Sequence, residues 1–102
     1  MYNIFGFYKF KKLTSLKLKK KSLYSLFIKN DIRGTIIISN EGLNGTISFK
    51  SNKFDNITTS LKKIFNIKKF NNENLTKYKF QAFHKGKIKI KKEVVPLGIK
   101  IK

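Results

Sequence analysis

The sequence predicts an α+β domain of the ferredoxin-like (acylphosphatase-like) βαββαβ type, with an antiparallel sheet and two helices on one of its faces. Three observations predict it: two β-branched runs joined by turn residues, two segments with apolar residues at helical spacing, and a late segment in which lysine and isoleucine alternate. A chain of 102 residues with 40% hydrophobic residues can bury one modest core. We therefore expect a single domain over residues 1–102.

The first part of the chain is predicted to form a strand and a helix. Residues 4–10 are β-branched or aromatic apart from one glycine and one lysine, which indicates a strand. Thr14 or Ser15 then supplies an N-cap for a helix that ends near Lys29. The apolar residues of this helix lie close to helical spacing, at Leu16, Leu23, Leu26 and Phe27.

A hairpin is predicted in the middle of the chain. Arg33–Ser39 is a short β-branched run, which indicates a strand buried on both faces, and residues 46–50 follow as its partner strand. Asn44-Gly45 lies between the two runs. Because both residue types tolerate positive φ, this pair predicts the hairpin turn.

The second half is predicted to form a helix and one interrupted strand. An amphipathic helix is indicated by apolar residues at offsets of three, four, three and one, namely Phe54, Ile57, Leu61, Ile64 and Phe65. An Asn-rich connection over residues 71–74 leads to a strand in two pieces, residues 78–80 and 87–91, with a bulge or bend near Gly86. Strict alternation in the second piece places its lysines on one face.

The charge of the chain favours a polyanionic partner. There are 24 Lys plus Arg against 5 Asp plus Glu, for a formal net charge of +19, and each phosphate that a basic residue neutralises releases condensed counterions. AT-rich codons would also produce this abundance of Lys, Asn, Ile and Phe with Arg33 as the single arginine. A nucleic-acid-binding surface and a solvated surface of biased composition therefore both remain open.

Several classes of function are excluded by composition. The absence of cysteine excludes disulfides and thiolate catalysis, and the single histidine, His84, excludes a multi-histidine metal site. We expect no metal and no cofactor. The N-terminus does not have the pattern of a signal peptide, and no apolar run is long enough to span a bilayer. We expect a cytoplasmic protein that does not engage a membrane.

Two segments resemble a known family. Residues 34–46 are similar to the strand, Glu-Gly-Ile-Asn-Gly-Thr turn and strand in the N-terminal domain of the rhodanese-containing tRNA uridine(34) hydroxylases. Residues 82–95 are similar to that domain's Pro-Phe-His/basic stretch and the Lys-Lys-Glu-Ile-Val strand after it, and the resemblance covers nearly the whole chain. The chain departs from the family at Ala82, which stands where proline is usual, and at Lys85 and Gly86, which replace an arginine and an aliphatic residue.

The resemblance implies a domain fused to a rhodanese-like domain, in an enzyme that converts the wobble uridine of tRNA to 5-hydroxyuridine in the presence of prephenate. The family's catalytic cysteine belongs to the rhodanese domain, which residues 1–102 lack, so we expect no catalytic residue here and no hydroxylation by this chain alone. The implied partners are tRNA and a rhodanese-like domain or chain. The alternative is a stand-alone basic RNA-binding or structural domain without catalysis.

The candidate RNA-binding residues surround the alternating segment. Lysines at every second position of a strand lie roughly 6 to 7 Å apart on one face, which is comparable to the phosphate spacing of a nucleic-acid strand. His84 could contact RNA, or it could be a histidine satisfied near a strand bend. The RNA-binding set is His84, Lys85, Lys87, Lys89, Lys91 and Lys92.

A second candidate set is the loop motif Asn40, Glu41 and Asn44. An exposed glutamate there could orient a ribose hydroxyl or a basic residue. Alternatively, Asn44-Gly45 only forms the turn and Glu41 closes it through a backbone hydrogen bond.

The aromatic residues have two possible roles. Some aromatic side chains could stack on bases, although most are expected to fill the core: Phe5, Phe7, Tyr8, Tyr78, Phe80 and Phe83.

An acylphosphatase-type enzyme would have the same order of elements, but it requires a Gly-rich, Arg-bearing phosphate cradle after the first strand. Residues 9–13, Lys-Phe-Lys-Lys-Leu, offer none.

Overall fold

The structure is a computed structural model that describes residues 1–92. A short 3-10 turn, Ser51–Lys53, precedes the second helix. The other elements are β1 Tyr2–Phe10, α1 Leu16–Asn30, β2 Arg33–Ser39, β3 Gly42–Lys50, α2 Phe54–Phe65, β4 Asn72–Tyr78 and β5 Gly86–Ile90. The strands form one sheet in the order β4-β1-β3-β2-β5.

The sheet is mixed, whereas the prediction was a wholly antiparallel sheet. β1 pairs antiparallel with β3 and β4, and β2 pairs antiparallel with β3, but β5 pairs parallel with β2. The predicted βαββαβ order is thus confirmed through β4, and β5 extends the sheet at its far edge.

The prediction of one final strand in two pieces was wrong. Of its first piece, residues 78–80, only Tyr78 belongs to a strand, β4, which pairs with β1 at one edge of the sheet. Its second piece lies at the opposite edge, where β5 pairs with β2. The break near Gly86 is the start of a separate strand rather than a bulge. The Asn-rich segment expected to be a connection also contributes to the sheet, since β4 begins at Asn72.

Both helices lie on one face of the sheet, as predicted. The core combines alternate strand residues with the apolar stripes of the helices, including Phe5, Phe7, Leu23, Phe27, Ile36, Ile38, Ile47, Phe49, Ile57 and Leu61. In β2, buried residues alternate with half-buried ones such as Thr35 and Ile37. The prediction that this strand is buried on both faces was therefore wrong, because the helices cover only one of them.

The two predicted helices are confirmed. α2 extends over the predicted apolar stripe and buries Ile57, Leu61 and Phe65. α1 begins after Ser15, but that residue has φ 53° and ψ 47° and makes no side-chain capping hydrogen bond, so the capping chemistry expected of it was wrong. Within residues 1–92, neither helix has the length and apolar character needed to cross a membrane.

The hairpin is confirmed, but its turn lies elsewhere than predicted. Ser39 pairs with Gly42 and Ile37 pairs with Asn44, so Asn40 and Glu41 form the turn and Asn44 lies within β3. Gly42 has φ 150°, and a Cβ there would collide with the carbonyl oxygen of Lys9. The close approach of β1 therefore requires glycine at position 42, where the turn ends.

Candidate nucleic-acid interface

The face of the sheet opposite the helices is accessible, and we call it the open face. Strand register assigns to it the even-numbered residues of β1, β3 and β4 and the odd-numbered residues of β2 and β5. Thr46, at the middle of the central strand, is exposed. At these strand positions the open face carries the cations Arg33, Lys50, Lys87 and Lys89 and no carboxylate.

Lys87 and Lys89 of β5 lie along one edge of this face, and we call them the lysine row. Lys87 pairs with Thr35 and Lys89 pairs with Ile37, so both project to the open face, and both are exposed. The backbone N–H of Lys91 donates to Ile38 O at 2.9 Å, which continues the ladder beyond β5. Lys92 is exposed at the end of the described residues.

Packing against α1 determines where this row lies. Ile88, between the two lysines, is buried against the core with 3% exposure. Gly86 allows the close approach, since a Cβ there would lie 2.5 Å from Phe27 Cδ2 and 2.8 Å from Ile32 O. His84 and Lys85 precede β5 and are exposed, and the Lys85 carbonyl accepts a hydrogen bond from Gly34 N at 2.7 Å.

The predicted loop motif is divided between two places. Asn40 Nδ2 donates to Leu13 O at 2.9 Å, and Leu13 N donates to Asn40 O at 3.0 Å, so Asn40 anchors the loop that follows β1. Glu41 accepts a backbone hydrogen bond from Lys11 N at 3.0 Å and is exposed at the hairpin tip. Asn44 lies on the open face, in β3. The three residues do not form one site.

The aromatic residues divide between the core and the surface. Phe5 and Phe7 are buried. On the open face, the ring centroids of Tyr8 and Phe10 are 5.5 Å apart. Three more aromatic side chains are exposed at the end of β4 and in the connection to β5, namely Tyr78, Phe80 and Phe83.

The connection from β4 to β5 is held under strain beside the open face. Ser48 Oγ donates to Ala82 O at 2.6 Å, and Gln81 Nε2 donates to Asp31 O at 2.8 Å. Phe83 has φ 71°, which is rare for a bulky residue and costs free energy of order 1–3 kcal/mol. The connection therefore presents Phe83 and His84 in a defined backbone conformation.

A shallow cavity of about 310 Å³, which we call the Gly6 depression, lies in the open face across β3, β1 and β4. Its side chains belong to Tyr8, Asn44, Thr46, Asn72 and Asn74. Sequence reasoning missed this feature, although asparagine and glycine at alternate positions of a strand are an unfavourable choice that could have indicated it.

Three donors of the loop after β1 are bonded within the protein. Lys11 N and Leu13 N donate to the carbonyls of the hairpin turn. The Lys11 ammonium donates to Asn66 O at 2.6 Å, at the end of α2. These donors are engaged within the protein, which agrees with the absence of the Gly-rich, Arg-bearing loop that acyl-phosphate chemistry requires.

Solved structures share this fold. Acylphosphatase from Bacillus subtilis superposes with a TM-score of 0.59 at 10% sequence identity, covering 86% of this chain and 98% of that chain. Full-length HypF superposes with a TM-score of 0.60 at 10% identity, covering 88% of this chain and 12% of that one. The protein is therefore an acylphosphatase-like α+β domain.

Sequence comparison places it more narrowly. The UPF0176 acylphosphatase-like domain matches residues 2–94, and the chain belongs to this family. It is 60% identical over 101 residues to the tRNA uridine(34) hydroxylase of Pelagibacter ubique (strain HTCC1062), covering 99% of this chain and 34% of that protein. The tRNA uridine(34) hydroxylase of Prochlorococcus marinus subsp. pastoris is 35% identical over 97 residues, covering 95% of this chain and 31% of that protein.

The predicted resemblance is confirmed by these matches. The chain spans about a third of the length of the curated relatives. The end of the second segment of resemblance, residues 93–95, lies outside the described residues.

Proposed function

We propose that this chain is the tRNA-binding, substrate-positioning domain of a tRNA wobble-uridine hydroxylase. In this proposal residues 1–102 form one cytoplasmic domain, and the prephenate-dependent formation of 5-hydroxyuridine takes place in a separate rhodanese-like domain. The identity of 60% to a tRNA uridine(34) hydroxylase over nearly the whole chain supports it.

The observation that carries the proposal is the charge of the open face. Its strand positions hold four cations and no carboxylate, and its centre is accessible at Thr46. Lysine side chains attract phosphates as point charges without reading bases. The lysine row would therefore bind the RNA backbone, with His84 and Lys85 at one end and Lys91 and Lys92 at the other.

Salt-dependent binding tests this role. Wild type, Lys87→Glu/Lys89→Glu and the control Lys17→Glu/Lys21→Glu would be titrated with tRNA from low to physiological salt. The control changes the net charge equally, but at exposed positions of α1, on the other face of the sheet. Losing two phosphate contacts should flatten the slope of log K against log salt by about 1.4, at roughly 0.7 per single-strand contact. The control should stay close to wild type.

Two results would contradict the proposal. Equal flattening by both variants would mean that net charge, and not the open face, attracts RNA. An absence of tRNA binding by wild type even at low salt would favour the alternative, a structural domain.

A further inference from the structure

The Gly6 depression brings together six residues from three neighbouring strands. In one row across the sheet, Gly6 pairs with Asn74 on β4 and with Thr46 on β3. In the next row, Tyr8 pairs with Asn72 and with Asn44 on the same two strands. Residues opposite each other in an antiparallel ladder have side chains on the same face. The five side chains therefore flank, on three sides, the position where Gly6 has none.

These residue types are costly in a sheet, and the fold does not require them here. Asparagine and glycine are depleted in strands, and a glycine inside a strand often marks a bulge, a bend, or the close approach of a ligand or another backbone. Gly6 has no positive φ. The three heavy atoms nearest to a Cβ on Gly6 would all belong to the flexible side chain of Asn74, whose Oδ1 would lie 3.1 Å away. The open space above Gly6 is thus not imposed by the backbone.

The side chains of the depression are neutral, in a protein whose formal net charge is +19. Glu73 contributes to the lining, but its register with Phe7 places its side chain on the helix-facing side of the sheet. The amides of Asn72 and Asn74 each offer donors and an acceptor. Asn72 and Asn74 are exposed, and their side chains make no hydrogen bond within residues 1–92. This chemistry suits a neutral, planar ligand with alternating donors and acceptors rather than a phosphate.

An aromatic surface adjoins these amides. Tyr8 lines the depression, and its ring lies 5.5 Å from the Phe10 ring, at an angle of 60°. β1 and β5 are separated by β3 and β2, so about 14 Å, or three interstrand spacings, lie between the depression and the lysine row. A few nucleotides of single-stranded RNA could span this distance, with phosphates on the lysines.

We propose that the Gly6 depression binds one unpaired nucleobase of the RNA, stacked on Tyr8 and hydrogen-bonded by Asn72 and Asn74. The inference rests on the proposed RNA-binding function, which it deepens. The lysine row supplies affinity for the backbone, and the depression distinguishes a base-bearing strand from a bare sugar-phosphate chain.

The experiment compares two probes of about ten nucleotides, a length within known single-strand site sizes. One is oligouridine and the other is the same backbone with abasic sites, and both are titrated at several salt concentrations. The variants are Gly6→Val, which fills the depression, and Asn74→Ala, which removes an amide. The control is Asn56→Ala, at an exposed position of α2. Far-UV circular dichroism confirms that each variant is folded.

Wild type and Asn56→Ala should prefer the base-bearing probe by about tenfold, the scale of one stacked base. Gly6→Val and Asn74→Ala should reduce that preference to below about threefold without changing the salt slope, because no phosphate contact is lost. If Gly6→Val does not fold, Asn74→Ala still provides the test.

The possible failures are distinguishable. Binding of both probes with equal affinity by wild type would overturn the nucleobase site while leaving backbone binding intact. A full preference in both depression variants would also overturn it. Binding of neither probe, nor of tRNA, would remove the proposed function itself.

Discussion

Gly45 lies in the middle of β3 without a positive φ, and its missing side chain makes room for its neighbours. A Cβ there would lie 2.8 Å from Phe7 Cζ, 3.0 Å from Ile36 Cγ1 and 3.0 Å from Thr35 O. The glycine of the Asn-Gly pair is therefore required for packing between β1 and β2 and not for a turn.

We expect Gly45→Ala to destabilise the fold by about 1–3 kcal/mol, because a methyl group added to a filled core displaces its neighbours. The neighbouring Thr46 is exposed, so Thr46→Ala should cost less than about 1 kcal/mol. Urea unfolding midpoints at an unchanged m-value provide the comparison. Equal costs would show that the space around Gly45 is not filled as described.

At the scale of the element, β5 is the shortest of the described strands, and its only described strand neighbour is β2. It has one strongly buried side chain, Ile88, at 3% exposure, whereas Ile90 is 40% exposed. The lysine row depends on this strand, so the packing of Ile88 holds the candidate RNA-binding residues in place.

Ile88→Ala should cost about 2–5 kcal/mol of unfolding free energy, since it leaves a cavity in the core. Ile90→Ala removes the same atoms from the same strand, but at a position that is partly in water, and should cost about 1 kcal/mol or less. Equilibrium urea unfolding measures both. A small cost for Ile88→Ala would mean that β5 is not part of the cooperative unit.

At the scale of the whole molecule, like charges oppose compaction. The formal net charge is +19. The described residues contain a single ion pair, Arg33 Nε to Asp31 Oδ1 at 3.9 Å, and it is solvent-exposed. Exposed pairs contribute little, so there is little attraction to offset the self-repulsion of the chain.

Salt should therefore stabilise this protein. Raising potassium chloride from about 0.01 M to 0.15 M shortens the Debye length from roughly 30 Å to 8 Å. If this screening reduces the self-repulsion of the folded chain by about 1 kcal/mol, Tm rises by roughly 4–8 °C in a domain of this size, and we expect a rise of that order. Thermal unfolding followed by circular dichroism measures it.

The variant Lys17→Glu/Lys21→Glu provides the comparison for the salt effect. It lowers the net charge by four, so its Tm should rise less with salt than that of wild type. A Tm that falls with salt would show that attractive pairs outweigh the repulsion.

The sequence by itself determined the elements whose signal is local. The apolar stripe of α2, the existence of the hairpin and the alternation of lysines in β5 follow from residues a few positions apart. Periodicity of this kind depends on which face of one helix or strand is apolar, so it can be read without knowing the neighbouring elements. The RNA-binding roles of His84 and of the lysines stay predictions.

Only the tertiary structure decided how those elements meet. It paired β5 with β2, at the opposite edge of the sheet from β4, instead of making β5 a continuation of the same strand. It also brought Asn44 to the same face as Asn72 and Asn74, which follow about 30 residues later in the chain. Strand order and register depend on pairing between residues far apart in the chain. They also depend on positions such as Gly45, where neighbouring strands leave no space for a Cβ atom. Local pattern can indicate unfavourable residues within one strand, but it does not encode which strands meet, so the sequence alone could not bring these residues together in one depression.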